Sequence, residues 1–128
     1  MTTKIDWMRG AATALVTPFK KDGSVDDECF RSLVTRQVKG GVKILVPCGT
    51  TGESATMTAD ECRHVISMAI EIGHGLGARV IAGTGSNNTA ATIENTRKAR
   101  ELGADAALIV APYYNKPTQE GLFQHFSE

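Results

Sequence analysis

The residues best suited to chemistry form the run Gly49–Ser54, with the sequence Gly-Thr-Thr-Gly-Glu-Ser, directly after a short apolar segment. Its two glycines permit a tight turn and a close approach of the backbone to a ligand. Successive exposed N–H groups in such a turn form a concavity that suits a carboxylate or a phosphate. The hydroxyls of Thr50 and Thr51 can donate to the anion or pass on a proton. The Gly49–Ser54 turn therefore predicts an anion site, with an ordinary capped strand-to-helix turn as the alternative.

Two later segments offer further candidates. The run Gly83–Asn88 lacks the third glycine of a dinucleotide fingerprint, so a pocket wall is the better interpretation. Tyr113 and Tyr114 are the only tyrosines and stand together. A phenol there can hydrogen-bond a substrate or relay a proton, with aromatic packing at a strand end or subunit contact as the alternative.

The cysteines and histidines do not predict a metal site. The three cysteines, Cys29, Cys48 and Cys62, have no metal-ligand spacing, and neither do the three histidines. We interpret the cysteines as reduced thiols packed as small hydrophobes. Cys48 lies beside the Gly49–Ser54 turn, but it has no histidine near it in sequence, so we do not predict a catalytic thiol. The sequence predicts neither a metal nor a cofactor.

Charge and hydropathy exclude two classes of partner. Lys plus Arg and Asp plus Glu balance at 14 each, so no basic surplus points to nucleic acid or to an anionic membrane surface. The apolar runs are too short to span a bilayer. The first seven residues contain no apolar signal core, which predicts a cytoplasmic protein.

The chain alternates between predicted strands and helices. The strands are continuous apolar runs, which is typical of parallel strands buried on both faces. This pattern predicts an α/β fold with a parallel sheet, either open and doubly wound or part of a (β/α)₈ barrel. The predicted strands are 11–17, 43–47, 78–82 and 106–111, and the predicted helices are 26–39, 58–73, 89–102 and a last one from 118.

Polar segments follow each predicted strand, at the end where parallel α/β folds bind ligands. Four βα units amount to half of a barrel, since a complete one typically takes about 250 residues. We therefore expect residues 1–128 to be the N-terminal half of a single barrel domain, truncated before strand five. A natural or engineered half-barrel is the alternative.

Taken together, these motifs resemble the dihydrodipicolinate synthase (4-hydroxy-tetrahydrodipicolinate synthase) family. The resemblance covers nearly all 128 residues, in the family's order and spacing. Sialic acid lyase relatives usually carry Gly-Ser-Thr-Gly-Glu and a different fourth-strand motif. The motifs that carry the resemblance are Thr17-Pro18-Phe19, Gly49–Ser54, Ala82–Gly85, Pro112–Pro117 and Gln119–Phe126.

The resemblance implies a homotetrameric (β/α)₈ barrel built from tight dimers. In this family of class I aldolases, pyruvate forms a Schiff base with a lysine, and the enamine attacks aspartate semialdehyde in the lysine (diaminopimelate) pathway. Thr50 resembles the relay threonine, and Thr51 the residue that holds the pyruvate carboxylate with help from the Thr50 N–H. Tyr114 resembles the tyrosine that reaches across the tight-dimer interface into the neighbouring relay. The alternatives are another pyruvate-dependent aldolase or dehydratase, or a non-catalytic half-barrel that self-associates or binds small carboxylates.

The chain departs from the family in lacking its nucleophile. The family's Schiff-base lysine lies on strand six, and its second relay tyrosine and its semialdehyde-binding arginine follow strand five, so all three fall beyond residue 128. Lys116 is near the appropriate end of the barrel, but in an exposed polar loop it should stay protonated and react poorly. We therefore expect the isolated chain to be inactive.

A second departure concerns feedback control. Lysine-inhibited members tend to carry histidines in the helix after the Gly49–Ser54 turn and a glutamate after the 83–88 loop. This chain has Ala59 and Cys62 in the first region and Ala90 and Ala91 in the second, although Tyr113 matches a lysine-site tyrosine. The sequence predicts weak or absent inhibition by lysine.

Overall fold

The computed structural model describes residues 5–128, which contain one four-stranded parallel sheet. The strands are β1 (Ala12–Ala14), β2 (Ile44–Val46), β3 (Arg79–Gly83) and β4 (Ala106–Leu108). They lie side by side in the order β1-β2-β3-β4, and every neighbouring pair is parallel. Doubly wound sheets reverse their strand order at a switch point, and this sheet does not. The parallel α/β prediction is confirmed, and the strand order is that of consecutive barrel units.

Four α-helices connect and flank the strands. Each of them follows a strand and begins within one residue of its predicted start. The segment Thr58-Ala59-Asp60-Glu61 predicts a capping box at the start of the second helix, and the structure confirms it. Thr58 Oγ1 accepts from the Glu61 N–H at 3.2 Å, and the Glu61 carboxylate accepts from the Thr58 N–H at 2.7 Å. Gly103 ends a helix in the left-handed conformation, as glycine favours. The helices are α1 (Asp27–Lys39), α2 (Ala59–Gly75), α3 (Thr89–Leu102) and α4 (Gln119–Ser127).

The predicted end of α2 at Gly73 is wrong, because the helix continues to Gly75. Gly73 is buried at the contact between α2 and the sheet. A Cβ there would lie 2.9 Å from Leu45 Cδ1 and 3.4 Å from Val80 Cγ2. Its small size therefore serves close helix–sheet packing, and the turn comes later, at Gly77 with φ +83°.

The hydrophobic core lies between the sheet and the helices α1 and α2. Helical spacing in the sequence predicts a buried face of α1 formed by Phe30, Leu33, Val34 and Val38. This is largely confirmed, since all but Leu33 are buried. The same spacing predicts a buried face of α2, and it is confirmed except that its first member, Cys62, is only half-buried. The predicted members are Cys62, Val65, Ile66, Ala69 and Ile70. The core side chains of α2 and the sheet include Val65, Ile66, Met68, Ala69, Leu45 and Val80.

Burial of every strand on both faces is a prediction that the structure corrects. All three residues of β2 are buried, but β1 and β4 are largely exposed. Both are outer strands of a four-stranded sheet, so each has a strand neighbour on one side only. Leu108 of β4 is 50% exposed for this reason.

None of the helices within residues 5–128 is both long enough and apolar enough to cross a membrane. The first four of the seven N-terminal residues used for the localisation prediction lie outside the described residues.

A charged cluster links the starts of β3 and β4, at the end of the sheet opposite the Gly49–Ser54 turn. The carboxylate of Asp105 accepts hydrogen bonds from His74 Nε2 (2.8 Å), from an Arg79 guanidinium nitrogen (2.6 Å) and from the Val80 N–H (2.9 Å). Burial disfavours its charge, but these three donors outweigh burial, so the pKa of Asp105 lies below its usual value of 3.8. The cluster ties the end of α2 to β3 and β4.

We expect Asp105 to make folding sensitive to acid. Because its folded pKa is lowered, its contribution to stability is complete above pH 3.8 and is lost as the pH falls through the folded value. Asp105→Asn should therefore lower the free energy of unfolding at pH 7 by about 2 kcal/mol and flatten its fall in acid. Urea unfolding from pH 7 to pH 2 measures both effects. Asp60→Asn, at an 86% exposed side chain, is the control, and equal losses in the two variants would contradict the prediction.

Candidate functional site

The Gly49–Ser54 turn follows β2 and contains the 3₁₀ turn Thr50–Gly52, and a second 3₁₀ turn, Ser54–Thr56, begins at its last residue. The Gly52 N–H donates to the Gly49 carbonyl and the Glu53 N–H to the Thr50 carbonyl, both at 3.0 Å. The first N–H groups of a helical turn have no partner within it. Those of Thr50 and Thr51 accordingly donate to no acceptor in residues 5–128, and both threonines are exposed. Two amides and two hydroxyls are thus open to a ligand, and anion binding by them stays a prediction.

Thr17 anchors this turn from the segment after β1. Its buried hydroxyl donates to the Gly52 carbonyl at 2.7 Å. A Cβ on Gly52 would lie 3.0 Å from the Leu15 carbonyl oxygen and 3.3 Å from Thr17 Oγ1, so this glycine permits the close approach. Sequence reasoning placed Thr17 at a strand end but missed this role. The available signal was a threonine directly after an apolar strand.

Cys48 joins β2 to the turn in a constrained conformation. It is buried and has φ +57°, which is unusual for a residue with a side chain. The neighbouring strand presses against it: the Gly83 N–H donates to the Pro47 carbonyl at 2.9 Å, and a Cβ on Gly83 would lie 2.0 Å from the Cys48 carbonyl oxygen. The first glycine of the 83–88 run is therefore required by strand packing.

A cavity of about 710 Å³ adjoins the turn, between the helices α2 and α3. Residues 83–86 line it, which confirms the pocket-wall interpretation of this run. Thr50, Cys62 and Tyr113 also line it, whereas Thr51 and Tyr114 do not. Among the described residues its lining includes two cations, Arg63 and Lys98, and no carboxylate. The cavity therefore adjoins the predicted anion site without coinciding with it.

Tyr114 projects away from the chain. It is 94% exposed with φ +68°, and no hydrogen bond within residues 5–128 joins it to Thr50. The predicted fourth strand is too long, since β4 ends at Leu108 and the tyrosines lie in the following loop. Asn115 fixes this loop by donating from Nδ2 to the Asn87 carbonyl at 2.7 Å. A tyrosine so presented is suited to reach another subunit, which stays a prediction.

Lys116 and the possible metal ligands are the remaining candidates from the sequence. Lys116 is exposed, in the same loop as Tyr114, and has φ +48°. Within the described part of the chain, no three His, Cys, Asp or Glu side chains are grouped so that they could hold a metal ion.

Comparison with known proteins identifies the family. The family model described as the dihydrodipicolinate synthetase family matches residues 7–128. The chain belongs to the dihydrodipicolinate synthetase family. It is 54% identical over 120 residues to a 4-hydroxy-tetrahydrodipicolinate synthase of Mesorhizobium japonicum, covering 94% of this chain and 41% of that relative.

Solved structures of the family share the fold. A chloride-inhibited dihydrodipicolinate synthase of Acinetobacter baumannii, complexed with pyruvate, is 48% identical with a TM-score of 0.89, over 91% of this chain and 40% of that one. An enzyme of Cyanidioschyzon merolae with lysine bound is 45% identical with a TM-score of 0.87, over 91% and 39%. The chain thus spans about two fifths of these relatives, and its four parallel strands form half of their (β/α)₈ barrel.

Proposed function

We propose that the complete protein condenses pyruvate with aspartate 4-semialdehyde through a lysine Schiff base, in lysine biosynthesis. The observation that carries the proposal is membership of the dihydrodipicolinate synthetase family over residues 7–128, with the Gly49–Ser54 turn in place. The pyruvate complex of the Acinetobacter baumannii relative supports pyruvate as the first substrate. This chain contributes the carboxylate site and part of the proton relay.

Each proposed role belongs to a residue that is exposed in the structure. Thr51 holds the pyruvate carboxylate through its hydroxyl and N–H, and the Thr50 N–H assists. The Thr50 hydroxyl passes protons during Schiff-base formation and dehydration. Tyr114 completes the relay of a neighbouring subunit, which fits its 94% exposure and requires a homo-oligomer, a tetramer of tight dimers in the complete enzyme.

The nucleophile of the reaction lies outside this chain. A Schiff-base lysine must lose its proton to attack a carbonyl, and burial is the usual means of favouring the neutral amine. Five of the six lysines in the described residues are exposed, and Lys98 is half-buried with its Nζ 3.1 Å from a Glu101 carboxylate oxygen. No described lysine therefore has the surroundings of a Schiff-base nucleophile.

Borohydride trapping tests this assignment. We expect the 128-residue chain, incubated with pyruvate and sodium borohydride, to keep its mass, because none of the described lysines is fully buried, the usual setting of an amine that forms a reducible imine. Intact mass spectrometry measures the result. A complete enzyme of the family, treated in parallel, should gain one reduced pyruvate adduct per subunit. A stoichiometric adduct on this chain that disappears in Lys116→Ala would contradict the proposal and would make Lys116 the nucleophile.

We also expect lysine to inhibit the complete enzyme weakly or not at all. Ala59, Cys62 and Ala91 line the cavity between α2 and α3, and the described residues offer no carboxylate there for an ammonium group. Ala91→Glu adds one, so it should lower the inhibitory lysine concentration by about tenfold, the effect of one charged hydrogen bond. Initial rates at increasing lysine concentration measure this effect. Ala90→Glu, one residue away and outside the cavity lining, is the control, and tight inhibition of the unaltered enzyme would contradict the prediction.

A further inference from the structure

Two cysteines of the chain meet beside the Gly49–Ser54 turn. The thiol of Cys48 donates to the backbone carbonyl oxygen of Cys62 at 3.6 Å, so the side chain of Cys48 lies against the residue that carries the second thiol. Cys48 lies two residues after β2, and Cys62 lies in the first turn of α2, fourteen positions further along the chain. The third cysteine, Cys29, is exposed near the start of α1.

The two cysteines differ in solvent exposure. Cys48 is only 3% exposed and lies in the hydrophobic core. Cys62 is half-buried and lines the open cavity between α2 and α3. A small oxidant entering this cavity therefore meets Cys62 before Cys48, whose buried thiol contacts the Cys62 backbone. This is the arrangement of an attacking thiol with a resolving thiol.

The electrostatics of the pair agree with this order. Hydrogen bonding from Cys48 lowers the pKa of Cys62, against the opposing effects of burial and of Glu61. The interaction with Cys62, together with burial, raises the pKa of Cys48. The accessible sulfur is thus the one that ionises first, and a thiolate is the reactive form of cysteine.

We propose that Cys62 and Cys48 form a peroxide-reactive pair that closes to an internal disulfide, linking the end of β2 to the first turn of α2. The oxidant is a small peroxide, for which the cavity provides the approach. Cys29 takes no part, because it is exposed on α1 and has no thiol partner in the described chain.

The reaction balances in two steps. The Cys62 thiolate attacks one oxygen of hydrogen peroxide, the O–O bond breaks, and the departing hydroxide takes up a proton to become water. Cys62 is then a sulfenic acid. The Cys48 sulfur attacks the Cys62 sulfur, the S–O bond breaks, and the leaving hydroxide takes the Cys48 proton as a second water. The two thiols have together lost two electrons and two protons, and one peroxide has become two waters.

Closure of this bond would restrain the Gly49–Ser54 turn. The turn lies wholly within the loop between the two cysteines. A cross-link across a loop limits its local opening. Cys48 cannot shift much to form the bond, because β3 packs against its backbone at Gly83. The start of α2 must therefore adjust, and the amides of the turn should exchange more slowly in the oxidised chain.

The test treats the reduced, folded chain with hydrogen peroxide and then labels remaining thiols with N-ethylmaleimide under denaturing conditions. We expect the oxidised product to have lost the mass of two hydrogens and to take up one maleimide, at Cys29, whereas the reduced chain takes up three. Peptide mapping should find Cys48 joined to Cys62. Maleimide on both Cys48 and Cys62 after exposure, or a disulfide that includes Cys29, would overturn the proposal.

A second measurement separates a folded pair from chance oxidation. In the Cys29→Ser chain, equilibration with oxidised and reduced glutathione gives the effective concentration of the two thiols. We expect this value to be at least about tenfold higher in the native chain than in guanidinium chloride, because the fold holds the sulfurs together. Equal values would overturn the proposal. Cys48→Ser should instead stop at a sulfenic acid that dimedone traps on Cys62, and its absence there would remove Cys62 as the first site.

Discussion

Gly83→Ala is expected to remove at least about 3 kcal/mol of folding stability, a large part of what a domain of this size has. The added Cβ would lie 2.0 Å from the Cys48 carbonyl oxygen, 2.4 Å from its carbonyl carbon and 2.8 Å from the Gly49 nitrogen. All three atoms belong to the backbone, so no side-chain rotation relieves the overlap. The strands β2 and β3 must separate at the point where the Gly49–Ser54 turn begins.

Urea unfolding of the variant and of a matched glycine substitution measures this effect. Gly75, the last residue of α2, has no atom within 4 Å of an added Cβ. Gly75→Ala should therefore leave the free energy of unfolding unchanged or raise it by up to about 1 kcal/mol, since alanine favours a helix more than glycine does. Similar unfolding midpoints for the two variants would show that the close approach at Gly83 is not needed for stability.

The sequence predicted best those features whose causes are local. The bounds of α3 follow from Asn88 at its start and Gly103 after its end, and the structure has both as caps. The capping box at Thr58 is equally local, because its two partners stand three residues apart. Such signals lie within one turn of helix, so one sequence is sufficient to find them.

The features that sequence reasoning missed depend on contacts between distant segments. The Thr17 hydroxyl donates to the Gly52 carbonyl across 35 positions of the chain. Gly73 does not end α2; it is a glycine inside the helix where Leu45 and Val80 leave little space for a side chain. The apolar run 106–111 predicted a longer strand, but pairing with β3 stops at Leu108. Apolar runs show which residues can pair, whereas the partner strand decides how many do.

The second large effect concerns the proposed pyruvate site. Thr51→Val should weaken pyruvate binding by at least about tenfold, because valine keeps the shape and the N–H but removes a hydroxyl that donates to a carboxylate, a bond worth about 1.5–3 kcal/mol. The loss should appear in affinity and not in stability, since Thr51 is exposed and its hydroxyl has no partner within residues 5–128. Titration calorimetry with pyruvate measures the affinity.

The control for Thr51→Val is a threonine on another face of the fold. Thr35 lies in α1, and its hydroxyl donates to the Arg31 carbonyl at 2.8 Å. Thr35→Val should leave pyruvate affinity unchanged. An equal loss in both variants would mean that the effect of Thr51→Val is not specific to the turn.

The central claim is that the turn after β2 holds a carboxylate through the open amides of Thr50 and Thr51. A pyruvate titration followed in ¹H–¹⁵N correlation spectra tests it most directly, because each amide reports separately. We predict saturable shifts of the Thr50 and Thr51 signals with one common dissociation constant. Unmoved Thr50 and Thr51 signals at pyruvate concentrations that shift amides elsewhere in the chain would contradict the claim.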